Sequence, residues 1–369
     1  MGAGKKIKLL IVDDSALMRR LLTTVFGAEK DFEIRVARNG QAAVAENRDF
    51  QPDVVTLDIN MPEMDGLTAL SLLMAQRPVP VVMVSSLTTE GALATFEALN
   101  LGAIDYVCKP GGTISLSMDA VREELVRKVR AAAKARLRDP ARQSKAIGLA
   151  QRLRTDRAQL LAQSRVARAP RQSRHSRTGD RLVIIGVSTG GPSTLEEILP
   201  LLPADYPWPI VIAQHMPGSF TKSFADRMNP LCLLEVQEVA TPTPVLPGHV
   251  YIAKGGADLV LAPRANQLTA VPKPESASHL WHPSVELLGR SVLEHCQPEH
   301  VIAVMLTGMG NDGADAFAEL KQRGARTIAE SQDSAIVFGM PAELIHRNGA
   351  TRVLPADQIA TQLIAWAEI

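Results

Sequence analysis

The sequence predicts an α/β protein of two domains, each built on a doubly wound parallel sheet, joined by a basic linker. Short runs of branched apolar residues alternate with helix-like segments from residue 1 to 130, and again from residue 180 to 369. This alternation is typical of parallel sheets covered by helices on both faces. Between them, residues 131–179 are rich in arginine and lysine, and the segment RVARAPRQSRHSRTGDR has too little apolar content to pack, which predicts a linker.

Composition favours a soluble protein of the cytoplasm. Hydrophobic residues make up 46% of the chain but aromatic residues only 4%, which suits layered α/β packing. The formal net charge of +1 gives no global argument for nucleic acid or an anionic membrane as partner. The cysteines, Cys108, Cys232 and Cys296, are odd in number and far apart, which argues against a disulfide framework. The N-terminal apolar run is short and contains two aspartates, so we expect neither a signal peptide nor a membrane span.

Polar residues close the strands predicted in the first domain. These strands are IKLLIVDDS, FEIRVARNG, DVVTLDINM, VPVVMVSS and AIDYVCKP. In a parallel sheet the carboxyl ends meet at one edge, where functional groups gather. The residues at these ends are Asp13, Asp14, Asp58, Ser85 and Lys109. We therefore expect three carboxylates to converge beside a lysine and a hydroxyl.

Helix capping by Asp14 or Ser15 explains one or two of these polar residues but not the whole set. Clustered carboxylates repel one another unless a cation neutralises them, and their hard oxygen atoms suit Mg²⁺. A lysine and a hydroxyl at the same edge would stabilise the oxygens of a phosphoryl group transferred to a carboxylate. The pattern predicts a Mg²⁺-dependent phosphoacceptor.

These residues resemble the response-regulator receiver family, whose fold is flavodoxin-like, over the first third of the chain. The resemblance implies a phosphorylated Asp58, Mg²⁺ ligands Asp13, Asp14, Asp58 and the backbone carbonyl of Asn60, and phosphoryl contacts from Ser85 and Lys109. It also implies a cis Lys109–Pro110 bond. Ser85, which stands where many receivers have threonine, and Tyr106 match a pair that rearranges on phosphorylation. Tyr106 could equally be a half-buried strand residue.

In the basic linker we expect a frayed helix that extends to about Leu161, followed by a flexible connector. The alternating pattern KAIGLAQRLRTDRAQLLAQ is typical of a partly ordered amphipathic helix. Such a charge run is usually solvated. The alternative is that it docks an acidic partner surface or steadies the two domains against each other.

Ser188 lies in the stretch LVIIGVSTGGP, which reads as a buried strand, a glycine-rich turn and the start of a helix. The segment fits the G-x-S-x-G pattern of a nucleophile elbow, but small residues here also serve helix packing or phosphate binding. His215 and Asp312 follow other predicted strands of this domain. A set in which His215 takes the serine proton and Asp312 orients the imidazole is therefore geometrically allowed.

Each member of this set has an alternative role. His215 could be a capping or core residue, and Asp312 could cap the helix that begins near Gly313. The segment from Gly308 to Gly313 also fits the G-x-G-x-x-G pattern of a dinucleotide site. Against that site, the Asp312 carboxylate would repel a pyrophosphate by about 4 kcal/mol at about 4 Å.

The segments GVSTGG, AQHMPGSFTKSFADRMN, HPSVELLGRSV, LTGMGNDGADAF and FGMP are similar to the chemotaxis protein-glutamate methylesterase family, from about Leu182 to the end. The resemblance implies a catalytic set of Ser188, His215 and Asp312, with Thr189 and Met309 lining the site and the Met309 N–H as an oxyanion donor. The order Ser, His, Asp differs from that of α/β-hydrolases. Val187 stands where the family commonly has a small residue.

The combined resemblance implies a phosphorylation-activated hydrolase that removes methyl groups from glutamate methyl esters of chemoreceptors, releasing methanol. Deamidation of receptor glutamines is a second expected activity, and ester hydrolysis needs no cofactor. We expect a chemotaxis sensor kinase as phosphodonor, methylated chemoreceptors as substrate, and a monomer that neither binds nucleic acid nor inserts into the membrane.

The gating hypothesis is that the unphosphorylated receiver covers the Ser188 cleft. Moving a closed-to-open ratio from 1:99 to 99:1 takes about 5.5 kcal/mol, so we expect partial activation. The alternatives are a non-enzymatic signalling adaptor and a nucleotide-binding oxidoreductase.

Overall fold

The structure is a computed structural model that describes residues 5–86, 88–109, 118–137 and 181–368. The chain splits into two compact units, Met1–Arg138 and Asp139–Ile369. The predicted cis Lys109–Pro110 bond involves residue 110, which lies outside the described residues. The connector and the predicted helix beyond residue 137, up to Leu161, also lie outside them.

The first unit is a parallel sheet covered by helices. Among its described residues the sheet has five strands in the order β2-β1-β3-β4-β5, and every neighbouring pair is parallel. The strands are β1 Ile7–Val12, β2 Phe32–Ala37, β3 Val54–Asp58, β4 Val81–Ser85 and β5 Asp105–Cys108. The helices are α1 Ala16–Gly27, α2 Gly40–Asp49, α3 Gly66–Gln76, α4 Thr89–Asn100 and α5 Met118–Ala132. This order confirms the predicted doubly wound fold.

The first three helices of this unit each have an N-cap residue whose side chain accepts a hydrogen bond from the first turn. The side-chain oxygens of Ser15, Asn39 and Asp65 accept hydrogen bonds from backbone N–H groups in the first turns of α1, α2 and α3. Each cap satisfies a donor that the helix itself leaves unpaired. Ser15, not Asp14, therefore caps α1, so Asp14 has no capping role there.

The second unit has a longer sheet. In its described part the order is β15-β14-β13-β6-β7-β10-β8, and all neighbouring pairs are parallel. The strands are β6 Leu182–Val187, β7 Ile210–Gln214, β8 Glu235–Val239, β10 His249–Ala253, β13 Val301–Met305, β14 Arg326–Glu330 and β15 Arg352–Leu354. The helices are α6 Gly191–Ile198, α7 Gly218–Met228, α8 Val285–His295, α9 Ala314–Gln322, α10 Met340–His346 and α11 Ala356–Ala367, with 3₁₀ turns at Leu199–Leu201 and Pro298–His300.

A small antiparallel sheet adds to this array. It consists of β9 Thr243–Pro244, β11 Asp258–Arg264 and β12 Gln267–Lys273. Ala265 and Asn266, with φ of 47° and 60°, form the turn between β11 and β12. A two-residue turn can join only antiparallel strands, because a parallel crossover needs about a dozen residues. The sequence pattern alone did not distinguish this hairpin from the parallel strands of the domain.

Strand β6 occupies the point where the strand order of the second unit reverses. It pairs with β7 on one side and with β13 on the other. Ligands of open α/β sheets bind at the carboxyl ends of the strands that flank such a reversal. Ser188 follows β6, and His215 follows β7. The topology therefore places these two residues side by side.

No disulfide joins the cysteines Cys108, Cys232 and Cys296, all of which lie in the described part of the chain. Burial raises the pKa of Cys108 to about 12, which makes its thiol a poor nucleophile. No helix in the described part of the chain is both long and apolar enough to cross a membrane.

Candidate functional sites

The first candidate site lies at the carboxyl edge of the five-stranded sheet. Carboxylate oxygens of Asp13, Asp14 and Asp58 lie within 4.8 Å of one another. Asp13 and Asp58 are buried, whereas Asp14 is exposed. The ammonium group of Lys109 lies 2.8 Å from Asp58 Oδ2 and 3.5 Å from Asp13 Oδ2. The structure therefore brings the predicted carboxylates and the lysine together.

Electrostatics in this cluster favour an added cation. Burial, and then the neighbouring charge of Asp13, raise the pKa of Asp58 although Lys109 opposes the shift. Burial lowers the pKa of Lys109, but the hydrogen bonds and negative charges of Asp58 and Asp13 together outweigh this effect, so the net pKa is raised. Lys109 thus stays charged, and its one positive charge does not balance three carboxylates. This donor set fits Mg²⁺, which prefers hard oxygen ligands.

The remaining predicted receiver residues, Asn60, Ser85 and Tyr106, lie on or just after β3, β4 and β5. The backbone N–H of Asn60 donates to Asp58 Oδ1 at 3.4 Å. Ser85 ends β4, the strand next to β3, and its buried hydroxyl donates to the carbonyls of Ser86 and Gly91. Tyr106 is only 3% exposed, so it is more buried than the half-buried strand residue of the alternative interpretation.

The second candidate site begins with Ser188, which is 8% exposed at the end of β6. Its N–H donates to the Thr307 carbonyl at 3.0 Å, and its own carbonyl accepts from Gly191 N–H at 2.8 Å. Gly308 lies directly across from it: a Cβ on residue 308 would stand 2.8 Å from Ser188 Cβ and 2.4 Å from Met340 Sδ. Only glycine at 308 permits this close approach.

Gln214 ties the backbones of Ser188 and His215 together. Its buried amide nitrogen donates to the Ser188 carbonyl at 3.0 Å and to the His215 carbonyl at 3.1 Å. The His215 N–H in turn donates to the Val187 carbonyl at 3.0 Å. Hydrogen bonds therefore join the backbone segments that carry the side chains of Ser188 and His215.

His215 is paired with Asp312. The imidazole Nε2 lies 2.8 Å from Asp312 Oδ2, and both side chains are buried. Burial alone would raise the pKa of Asp312, but the hydrogen bond and charge of His215 and the N–H groups of Val285 and Glu286 lower it. An ionised carboxylate only accepts hydrogen bonds, so Nε2 is the donor.

Asp312 also caps helix α8. It accepts from Ser284 Oγ at 3.0 Å, from Val285 N–H at 2.7 Å and from Glu286 N–H at 3.0 Å. These groups lie at the helix N-terminus, where the macrodipole favours negative charge. Asp312 therefore does cap a helix, but that helix is α8 and not the predicted one that follows Gly313.

The second ring nitrogen of His215, Nδ1, is buried and finds no hydrogen-bond partner within the described ranges of the chain. In the described part of the chain no hydrogen bond joins Ser188 Oγ to His215, so the structure pairs His215 with Asp312 only. Catalytic hydrogen bonds are often incomplete without substrate, so this does not count against the pair.

Trp281 stacks on His215, a contact that the sequence analysis missed. The ring centroids are 5.4 Å apart and the planes differ by 2°. Gly310 has φ of 87°, and a Cβ there would lie 2.9 Å from the indole ring. The loop that carries Trp281 is held by buried Asp258, which accepts from Ser284 N–H and His282 Nδ1 at 2.9 and 3.1 Å.

Gln214, Trp281 and Ser284 were not singled out from the sequence. Ser284 had a usable signal, because a serine before an apolar helical run is a typical N-cap. Its hydroxyl indeed accepts from Leu287 N–H at 3.2 Å. Gln214 and Trp281 have no comparable local signature, because their contacts join distant parts of the chain.

Thr189 and Met309 lie in the two loops that meet at Ser188. Thr189 is buried, and its carbonyl accepts from Thr307 Oγ1 at 2.9 Å. Met309 follows Gly308, whose carbonyl accepts from the N–H of Met340 at 2.8 Å. These contacts hold both loops close to the serine.

The glycines of the G-x-G-x-x-G segment pack against this chain's own side chains. Cβ atoms at Gly308, Gly310 and Gly313 would meet Met340, Trp281 and Val285 respectively. In a dinucleotide site these glycines leave the backbone open to a pyrophosphate. The packing therefore argues against that alternative.

Comparison with known proteins shows the family to which the chain belongs. Residues 183–363 match the CheB methylesterase family, and residues 9–120 match the response regulator receiver domain. Protein-glutamate methylesterase/protein-glutamine glutaminase 3 of Rhodospirillum rubrum is 55% identical over 361 residues, which cover 97% of this chain and 96% of that protein. Protein-glutamate methylesterase/protein-glutamine glutaminase 2 of Rhodopseudomonas palustris is 49% identical over 364 residues, or 98% of each chain. The chain therefore belongs to the CheB methylesterase family and carries a response regulator receiver domain.

Proposed function

We propose that this protein hydrolyses glutamate methyl esters, and deamidates glutamines, on chemoreceptors, with its activity controlled by phosphorylation of its receiver. The proposal places the receiver at residues 1–130, the basic linker at 131–179 and the catalytic domain at 180–369. The observation that carries it is the 2.8 Å bond between His215 and Asp312 beside Ser188, at the reversal point of the sheet.

In the proposed reaction Ser188 Oγ attacks the carbonyl carbon of the ester and passes its proton to His215. Nδ1 is the nitrogen that takes this proton, because Nε2 is already engaged with Asp312. The ionised Asp312 then stabilises the imidazolium that forms. The backbone N–H of Met309 is the proposed donor to the oxyanion, and Thr189 lines the same site.

Collapse of the tetrahedral intermediate breaks the bond to the methoxy group, which leaves as methanol with the proton from His215. Water, deprotonated by His215, then attacks the acyl-enzyme, and glutamate and free Ser188 are released. The same steps on a glutamine side chain release ammonia. The acyl-enzyme chemistry thus accounts for both activities in the names of the relatives.

In the receiver we propose that Asp58 Oδ accepts the phosphoryl group from a chemotaxis sensor kinase. Asp13, Asp14, Asp58 and the Asn60 carbonyl would hold Mg²⁺, which when bound neutralises carboxylate and phosphoryl oxygens. Lys109 and Ser85 contact the transferred oxygens. The charge imbalance around Asp58 supports this assignment.

Methanol release from receptor membranes tests the proposal. Membranes carrying methyl-esterified receptors are incubated with the full chain and Mg²⁺, with and without a small-molecule phosphodonor. We expect methanol release that the phosphodonor increases, and none from unmethylated membranes. Absence of methanol in the presence of phosphodonor would refute the proposed activity.

A further inference from the structure

The imidazole of His215 is restrained by two different contacts. The bond from Nε2 to Asp312 fixes one corner of the ring at 2.8 Å. That bond alone leaves the ring able to tilt about the Nε2–Oδ2 line. Trp281 lies parallel to the ring, with planes 2° apart, and so limits this tilt. Together the two contacts decide where Nδ1 points.

Trp281 is itself fixed in place. Its indole edge packs over Gly310, where a side chain would collide with it at 2.9 Å. The next residue, His282, is bonded to buried Asp258. The indole of Trp281 is therefore restrained by its contact with the backbone of Gly310 and by the hydrogen bond that holds the neighbouring residue, His282. Gly310 also adjoins Met309, so the same ring contacts the loop proposed to bind the oxyanion.

The stack has an electrostatic consequence during the reaction. When His215 takes the proton of Ser188, its ring becomes a cation. The face of an indole ring carries negative charge density and attracts a cation within about 6 Å of its centroid. The centroid distance of 5.4 Å lies within this range. The interaction is stronger for the imidazolium than for the neutral ring, so it favours the transition state over the ground state.

We infer that Trp281 is a positioning residue for the esterase reaction: it orients His215 and stabilises its protonated form. The inference rests on the proposed role of His215 as the base. It assigns a function to a residue whose indole ring covers one face of the proposed base.

Steady-state methanol release by the full chain, with phosphodonor present, tests the inference. For Trp281→Leu we expect kcat to fall about tenfold, as loss of a cation–π contact in a desolvated site predicts. KM should stay within about twofold, because the loss lies in the chemical step. Trp281→Phe, which keeps an aromatic face, should recover most of kcat.

Trp366→Leu is the matched control. Trp366 is another half-buried tryptophan of the same unit and lies under Arg326, not His215. This variant should match the wild-type protein in both constants. A wild-type protein without activity would contradict the proposed function and not this inference in particular.

Three kinetic outcomes would overturn the inference. They are a kcat of Trp281→Leu within about twofold of wild type, a loss confined to KM, and a Trp281→Phe variant no better than Trp281→Leu. If Trp281→Leu fails to fold, kcat of Trp281→Phe is compared with kcat of the wild type, and the chemical shifts of the His215 ring are measured by NMR in the wild type. The indole ring current should displace its resonances in the wild type, and an undisplaced ring would contradict the stack.

Discussion

His215 Nε2 and Asp312 Oδ2 are 2.8 Å apart although 97 positions separate the residues in the chain. The bond assigns different tasks to the two ring nitrogens. Nε2 faces an acid that is also bound by the N-terminus of α8, whereas buried Nδ1 has no hydrogen-bond partner among the residues that the structure describes. The proposed base would therefore receive its proton on Nδ1, the nitrogen that Asp312 does not occupy.

Asp312→Asn should lower methanol release roughly 10³-fold or more, because an amide no longer selects the required tautomer. The loss should appear in kcat of the full chain. Asp315→Asn, a change at an exposed acid three residues further on, should retain activity. Equal activity of the two variants would contradict the role of Asp312.

Asp312→Asn should also destabilise the fold in a pH-dependent way. A carboxyl whose pKa is lowered on folding contributes stability that is complete above its ordinary pKa and is lost as pH falls through the lowered value. The loss on substitution should therefore be about 1–3 kcal/mol at about pH 7 and smaller at about pH 3. Urea unfolding at both pH values measures it, and a pH-independent difference would contradict the assignment.

Gly308→Ala should reduce activity at least about tenfold, because the new methyl group displaces Ser188 or Met340 from a contact that leaves no room. The full chain should remain folded by circular dichroism. Gly27→Ala is the control, since a Cβ there meets nothing within 4 Å. A Gly308→Ala protein with wild-type kcat would show that the close approach of the two loops is not required.

Asp58→Asn should remove stimulation by a phosphodonor and leave basal methanol release. Asp49→Asn, at an exposed acid of the same unit, should keep the stimulation. Stimulation that persists in Asp58→Asn would place the phosphoacceptor elsewhere.

The same Asp58→Asn change should raise the unfolding temperature of the receiver. The pKa of Asp58 is raised on folding, chiefly by burial, so the folded state binds the proton more tightly than the unfolded chain. The contribution of this group to the free energy of unfolding is therefore complete below its ordinary pKa and is lost as pH rises through the raised value. At about pH 7 the buried negative charge lowers the stability of the receiver. Calorimetry should show the increase near pH 7 and little change near pH 4. A lower unfolding temperature at pH 7 would contradict the sign of the shift.

The sequence predicted the doubly wound fold and the strand ends that carry Asp13, Asp58, Ser188 and His215. This was feasible because buried parallel strands are continuous apolar runs, and their carboxyl ends meet at one edge. The structure adds that Asp312 reaches His215 and α8 together. Local patterns could not show this, because the acid and the helix lie in separate segments.

Trp281 shows what a single sequence leaves out. A tryptophan in a polar loop has no period or motif, and only its packing over Gly310 and His215 reveals its place. The hairpin of β11 and β12 was not predicted for a different reason. Its turn residues, Ala265 and Asn266, lack the Asn-Gly or Asp-Gly sequence that is typical of such turns.

Comparison of Ser188→Ala with the wild-type chain tests the proposed nucleophile most directly. Both proteins are given methyl-esterified receptor membranes, Mg²⁺ and phosphodonor, and methanol is measured. Ser223→Ala, at a half-buried serine on α7, serves as the control. The account predicts that Ser188→Ala stays folded but releases no methanol above the enzyme-free background, while Ser223→Ala matches the wild type. Methanol release by folded Ser188→Ala at the wild-type rate would contradict it.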